Sequence, residues 1–133
     1  MGNGGALDRV SAGRAPLYTH KMCVFCEIVA KTISSKVVFE NDEFLAFHDV
    51  NPISPIHVLV VPKEHVPSLA SADLDHEALV GRLLITAKRV AELISGTALG
   101  YRVVINTGAL AGQSVGHLHA HILAGRPLGW PPG

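Results

Sequence analysis

The stretch GQSVGHLHAHIL (residues 112–123) places His117, His119 and His121 at alternate positions, directly after a loop bearing Gly112, Gln113, Ser114 and Gly116. Imidazole changes charge closest to neutrality, so such a run offers acids, bases, nucleophiles or metal ligands. On a strand, alternate side chains share a face, so the three rings would stand in a row about 7 Å apart. Leu118, Ala120 and Ile122 would then turn toward the core. A solvated strand face is the plainest reading, but strict alternation behind a glycine- and serine-bearing loop argues against it. Two chemistries remain. Histidines at i and i+2 can share a catalytic zinc that keeps an open position for water. Alternatively, one neutral ring nitrogen attacks an electrophile while its neighbours orient it and bind charge. AGQSVG favours the second: its small residues let backbone N–H groups approach an anion, and Ser114 adds a hydroxyl.

Cys23 and Cys26, spaced C-x-x-C, are the only cysteines. They form no disulfide framework, so a reducing, intracellular compartment is expected. A redox pair would need a flanking strand and a Gly-Pro centre, and neither is present. Two inert core thiols, or half of a zinc site that requires two more ligands, are the other readings.

The elements that must hold these groups are legible from pattern. CVFCEIVAK reads as a short helix at or after the cysteines. KVVFE (36–40) and EFLAFHD (43–49) are strands joined by Asn41-Asp42, a hairpin signal. HVLVVP (57–62), RVVIN (102–106) and HLHAHIL (117–123) supply three more strands. Between Ser71 and Ser95, Leu79, Leu83, Ala87, Val90 and Ile94 recur at helical spacing, with Ser71 or Asp73 as cap and Gly96 as terminator. The expected class is α+β, a five-stranded antiparallel sheet with one long helix and a short N-terminal helix.

The chain has 133 residues, 48% of them apolar, with 11 basic and 11 acidic side chains balancing to zero net charge. One domain over residues 22–133, behind a flexible tail over residues 1–21, fits that length. Neutral charge argues against a nucleic-acid coat protein, while a small nucleotide needs only local donors. No segment approaches a membrane span and none has a secretory core. A cytoplasmic protein is expected; a nuclear location, and organellar transit through residues 1–21, stay open. His20, His48 and His76 read as surface polarity.

G-Q-S-x-x-H-x-H-x-H-x-x resembles the signature of the histidine triad (HIT) family. LAFHDVNPISPIHVLVVPKEH (45–65) and GYRVVINTG (100–108) resemble two further blocks of that family, and the terminal WPPG resembles its nucleotide-binding (Hint) branch. The resemblance covers residues 23–133 and implies a HIT-like fold that forms a two-fold dimer. It implies His119 as the nucleophile that becomes nucleotidylated, His121 as a phosphate ligand and Ser114 as the hydroxyl assisting the leaving group. His57 would join the proton network with His117. Asp49 would hold the ribose hydroxyls, Asn106 and Gln113 would flank the phosphate, and Trp130 would reach the partner subunit's leaving-group site. It also implies structural zinc on Cys23, Cys26, His65 and His117, and no cofactor for the reaction itself.

The implied activity is hydrolysis of purine nucleoside phosphoramidates with an AMP- or GMP-like substrate. Dinucleoside polyphosphate hydrolysis and nucleotide binding by an adaptor with incidental catalysis are the alternatives. Gly116 and Ala120 are smaller than the residues the family usually carries there, and TGALAG is more apolar.

Overall fold

The computed structural model describes residues 23–133, which fall into two units divided between Ser34 and Ser35. The tail expected over residues 1–21 and His20 lie outside the described residues. In the first unit, Cys23 caps helix α1 (Val24–Val29): its Sγ accepts from the Cys26 backbone N–H at 3.4 Å. The thiol does here what a serine hydroxyl commonly does at a helix start.

The second unit is built on five strands, β1 (Val37–Glu40), β2 (Phe44–His48), β3 (Ile56–Pro62), β4 (Arg102–Val104) and β5 (Ala120–Ala124). Their order is β1-β2-β3-β5-β4, with every neighbouring pair antiparallel. Asn41 closes the first hairpin, its Oδ1 accepting from the amides of Glu43 (2.9 Å) and Phe44 (2.7 Å). That local bond is why asparagine marks such turns. β3 occupies the middle and is buried from His57 to Pro62, so it reads as an almost unbroken apolar run.

Helix α2 (Glu77–Leu93) buries Leu79, Leu83, Ala87 and Val90, the stripe expected from spacing. These side chains pack with Phe44, Ala46, Val58, Val60, Ala120 and Ile122 of the sheet. The helix is shorter than the 71–95 span expected. Ser68 and Asp73 each cap a separate 3-10 turn, Leu69–Ser71 and Leu74–His76, with extended Ala72 between them. At the other end Ile94 is already extended, and Gly96 turns the chain at φ +102°. No helix among the described residues is long and apolar enough to cross a membrane.

The strand expected from His117 begins instead at Ala120. The β3–β5 ladder stops at Val60↔Ala120, and the Leu118 N–H donates to the Val66 carbonyl at 2.6 Å. β3 has ended by then at Pro62, which lacks an N–H with which to extend the ladder. His117, Leu118 and His119 therefore form an approach to the strand, tied to the segment beyond Pro62.

Directly after β5, Gly125 has φ +96°, and a Cβ there would lie 2.8 Å from Pro55 Cβ. Gly116 has no such constraint: a Cβ would meet nothing within 4 Å. Gly125→Ala is therefore expected to destabilise by about 2 kcal/mol, and Gly116→Ala by less than about 0.5 kcal/mol, in denaturant unfolding.

Candidate active site

With α2 covering one face of the sheet, strand alternation sends His57, Leu59 and Val61 of β3, and His121 and Leu123 of β5, to the other. Leu59 pairs with His121 and His57 with Leu123, so the two histidines are diagonal neighbours. Their rings meet, His57 Nε2 lying 2.9 Å from His121 Nδ1. Asp49, just past β2, follows Leu45 and Phe47 onto this face, and its Oδ2 lies 3.3 Å from His57 Nε2. The His119 ring stands 5.0 Å from that of His121, centre to centre, nearer than strand rise alone would set. Four residues singled out in sequence, Asp49, His57, His119 and His121, are thus one cluster. His117 is turned away from it, fully buried, with its Nδ1 3.1 Å from His65 Nδ1.

Backbone groups decide where the ring protons sit. His119 Nδ1 lies 2.7 Å from the His117 carbonyl. A carbonyl only accepts, so Nδ1 carries the proton, and in the neutral ring Nε2 keeps its lone pair. His57 has the opposite arrangement: the Ile53 N–H donates to its Nδ1 at 3.1 Å. His57 must then hold its proton on Nε2 and donate it toward His121 Nδ1 and Asp49 Oδ2. His121, accepting at Nδ1, carries its own proton on Nε2. Adjacent rings thus offer one nucleophilic nitrogen and one hydrogen-bond donor.

The same argument separates two groups of metal-capable side chains. Asp49, His57 and His121 offer ligand atoms within 4.8 Å of one another. A neutral imidazole that binds metal through one nitrogen carries its proton on the other, donated outward. The Ile53 amide occupies the nitrogen that would need that proton, so this cluster is set for proton sharing. At His117 the polarity is reversed. Its Nε2 donates to the Pro62 carbonyl at 2.8 Å, leaving a lone pair on the Nδ1 that faces His65. Two imidazoles on one tetrahedral zinc hold their nitrogens about 3.3 Å apart, close to what this pair shows. In the first unit, burial and the neighbouring Cys23 raise the pKa of the Cys26 thiol. That is contrary to the depressed pKa of a redox-active thiol. Thiols and imidazoles are each donor types suited to zinc.

Gln113 shapes the loop between β4 and β5. Its Nε2 donates to the carbonyls of Pro67 (2.9 Å) and Val115 (3.0 Å), and its Oε1 accepts from the Gly108 N–H at 2.9 Å. Both amide protons are taken up, so it buckles the loop that carries Ser114, which is exposed. Asn106 is half-buried beside Thr107, whose hydroxyl oxygen is buried with no hydrogen-bond partner among the described residues. Trp130 is 82% exposed near the end of the chain. Its segment is held by Arg102, which donates to the carbonyls of Leu128 (3.4 Å) and Gly129 (2.8 Å). His48 is exposed, as expected, and His76 lies beside Glu64 and Asp73. The groups that sequence reading missed are the Ile53 amide and the carbonyls of Pro62 and His117; main-chain atoms leave no residue-type signal.

Burial, reinforced by neighbouring His119 and His57, pushes the pKa of His121 down to about 4, against the opposing pull of Asp49. Burial lowers His57 as well, again opposed by Asp49. Both rings are neutral at pH 7. Between pH 6.5 and about 4 the unfolded chain binds a proton at this position that folded His121 refuses. Stability therefore falls as pH drops through that window, by at most about 1.4 kcal/mol per pH unit for one proton. Denaturant unfolding at a series of pH values should show this decline, and His121→Asn should flatten it; equal slopes would contradict the assignment.

Comparison with known proteins places this geometry in a family. The HIT domain matches residues 30–128. The chain is 46% identical over 112 residues to adenylylsulfatase HINT1 of Arabidopsis thaliana, covering 83% of this chain and 76% of that protein. The crystal structure of a HIT family hydrolase from Legionella pneumophila aligns with TM-score 0.80 at 40% identity, covering 84% of this chain and 99% of that one. A zinc-bound histidine triad family protein from Mycobacterium smegmatis aligns with TM-score 0.71 at 30% identity, covering 86% and 81% of the two chains. On the matched domain and these similarities, the chain belongs to the HIT family.

Proposed function

We propose that the chain is a cytoplasmic nucleotidyl hydrolase that cleaves nucleoside 5'-phosphoramidates, of the adenosine 5'-monophosphoramidase type. The observation that carries this reading is the pair of opposite tautomers on adjacent rings, a lone pair on His119 Nε2 beside a proton on His121 Nε2. His119 Nε2 attacks the α-phosphorus. The P–N bond breaks, and the departing nitrogen leaves as an amine after gaining a proton through the Ser114 hydroxyl. The His121 N–H and the amides of the 112–116 loop hold the charge on the phosphoryl oxygens. Water then displaces His119 from phosphorus, releasing the nucleoside monophosphate and restoring the ring.

His57 keeps His121 in its donor tautomer. Asp49 accepts from the ribose hydroxyls of a purine nucleotide; its Oδ1 already accepts the Asn51 N–H, and a carboxylate has acceptor sites to spare. Asn106 lines the phosphate side, and Gln113 contributes by fixing the loop. A two-fold dimer is supported by β4, an edge strand paired only with β5, and by exposed Leu84, Ile85 and Leu93 on α2. Trp130 then serves the partner's leaving-group site. Adenylyl sulfate is a second substrate reading, favoured by the activity for which the Arabidopsis thaliana relative is named. It needs the same attack at an adenylyl phosphorus and differs only in the leaving group.

Cys23, Cys26, His65 and His117 are proposed to hold zinc. The reading rests on the donor set, on the Pro62 carbonyl that fixes the His117 tautomer, and on the zinc-bound Mycobacterium smegmatis neighbour. Bound there, zinc supplies structural support. His117 fixes the start of the approach whose carbonyl orients His119.

His119→Ala is expected to lower turnover of an adenosine phosphoramidate by on the order of 10³ or more while AMP still binds, measured by product release and calorimetry. Undiminished turnover in that variant would sink the mechanism. A panel of phosphoramidate, adenylyl sulfate and dinucleoside polyphosphate ranks the substrates, and AMP binding without any turnover would favour the adaptor reading. Elemental analysis of protein purified without chelator is expected to find stoichiometric zinc, lost in Cys23→Ser/Cys26→Ser together with a fall in melting temperature. Zinc absent from the unmutated protein would end that assignment.

A further inference from the structure

We infer that Arg126 is a positioning residue for the histidine relay: it holds the Ile53 peptide whose amide keeps His57 in its neutral, Nε2-protonated form. At the exit of β5, Gly125 lies so close to Pro55 that a side chain has no room, which brings Arg126 against the loop between β2 and β3. There Arg126 Nη2 donates to the Ile53 carbonyl at 3.1 Å, and Nη1 donates to the Pro127 carbonyl at 3.0 Å. Ile53 is thus held from both sides, its carbonyl by Arg126 and its N–H on His57 Nδ1 at 3.1 Å. Pro52 and Pro55 flank it and have no N–H with which to brace the loop. A charge-assisted bond from a planar guanidinium is well suited to that task.

The tie matters because of what faces His57. Asp49 Oδ2 and His121 Nδ1 both lie within reach of its Nε2, at 3.3 Å and 2.9 Å. A neighbouring carboxylate favours an imidazolium, and two things stand against a second proton there: burial of the ring and the Ile53 N–H pointing at Nδ1. With Ile53 released, His57 Nδ1 acquires a proton and the ring pairs with Asp49. The donor that fixes His121 is then drawn away from it.

The experiment uses the full chain labelled with ¹⁵N at histidine, at neutral pH, with ring-nitrogen NMR as readout. In the unmutated protein His57 Nδ1 gives the signal of a lone-pair nitrogen. Arg126→Ala shifts it toward that of a protonated nitrogen, and Arg126→Lys, which keeps a cationic donor, retains most of the original signal. In parallel kcat for an adenosine phosphoramidate falls on the order of tenfold in Arg126→Ala with KM little changed. An unaltered His57 Nδ1 signal in folded Arg126→Ala overturns the inference. The kinetic arm rests on the proposed hydrolase reading, whereas the nitrogen signal does not. Absence of turnover in the unmutated protein would count against that reading alone, and the signal would still decide the role of Arg126.

Discussion

A neutral imidazole has one proton for two nitrogens, and most of what this site can do follows from which nitrogen keeps it. The Ile53 amide decides for His57, the Pro62 carbonyl for His117 and the His117 carbonyl for His119. His121 takes its state from His57. Rings of the same residue type, within one short stretch of chain, thereby present a bare nitrogen on His119, an N–H on His121 and a lone pair turned toward His65 on His117. Side-chain identity supplies the imidazoles, and the fold assigns their roles.

The sheet makes that assignment rigid. β3 lies between β2 and β5 and is buried on both faces. It presents Val58 and Val60 to the core under α2, and His57 to the opposite face. Strand register, fixed by apolar packing on the helix side, thus sets the diagonal meeting of His57 and His121. A slip of one residue would turn His57 into the apolar core under α2 and put Val58 in its place on the opposite face. The hydrophobic core and the polar cluster are two faces of a single registration.

Much of this was readable before any coordinates. Apolar spacing from Leu79 to Val90 located the buried stripe of α2 and Asn41-Asp42 located the first hairpin, while Asp49 and His57 were singled out by family resemblance rather than by pattern. What escaped was the part governed by contacts distant in sequence. HLHAHIL alternates like a strand throughout, yet its first three residues leave the sheet because Leu118 finds Val66 after the ladder has run out. Gln113, which the resemblance sets beside the phosphate, also acts as a buckle that residue type does not announce, with both amide protons donated to carbonyls. The 3-10 turns ahead of α2 likewise answer to Ser68 and Asp73 caps that periodicity does not register.

The Ile53 amide has a consequence for how such a site can change over time. Isoleucine at this position contributes a main-chain N–H that every other amino acid except proline would also contribute. The side chain is 63% exposed and free to drift in identity without disturbing the ring it governs. A position can therefore govern where a neighbouring ring keeps its proton and still look unconstrained when sequences are compared. Its contribution would be exposed by editing the backbone itself, as when a single amide is exchanged for an ester.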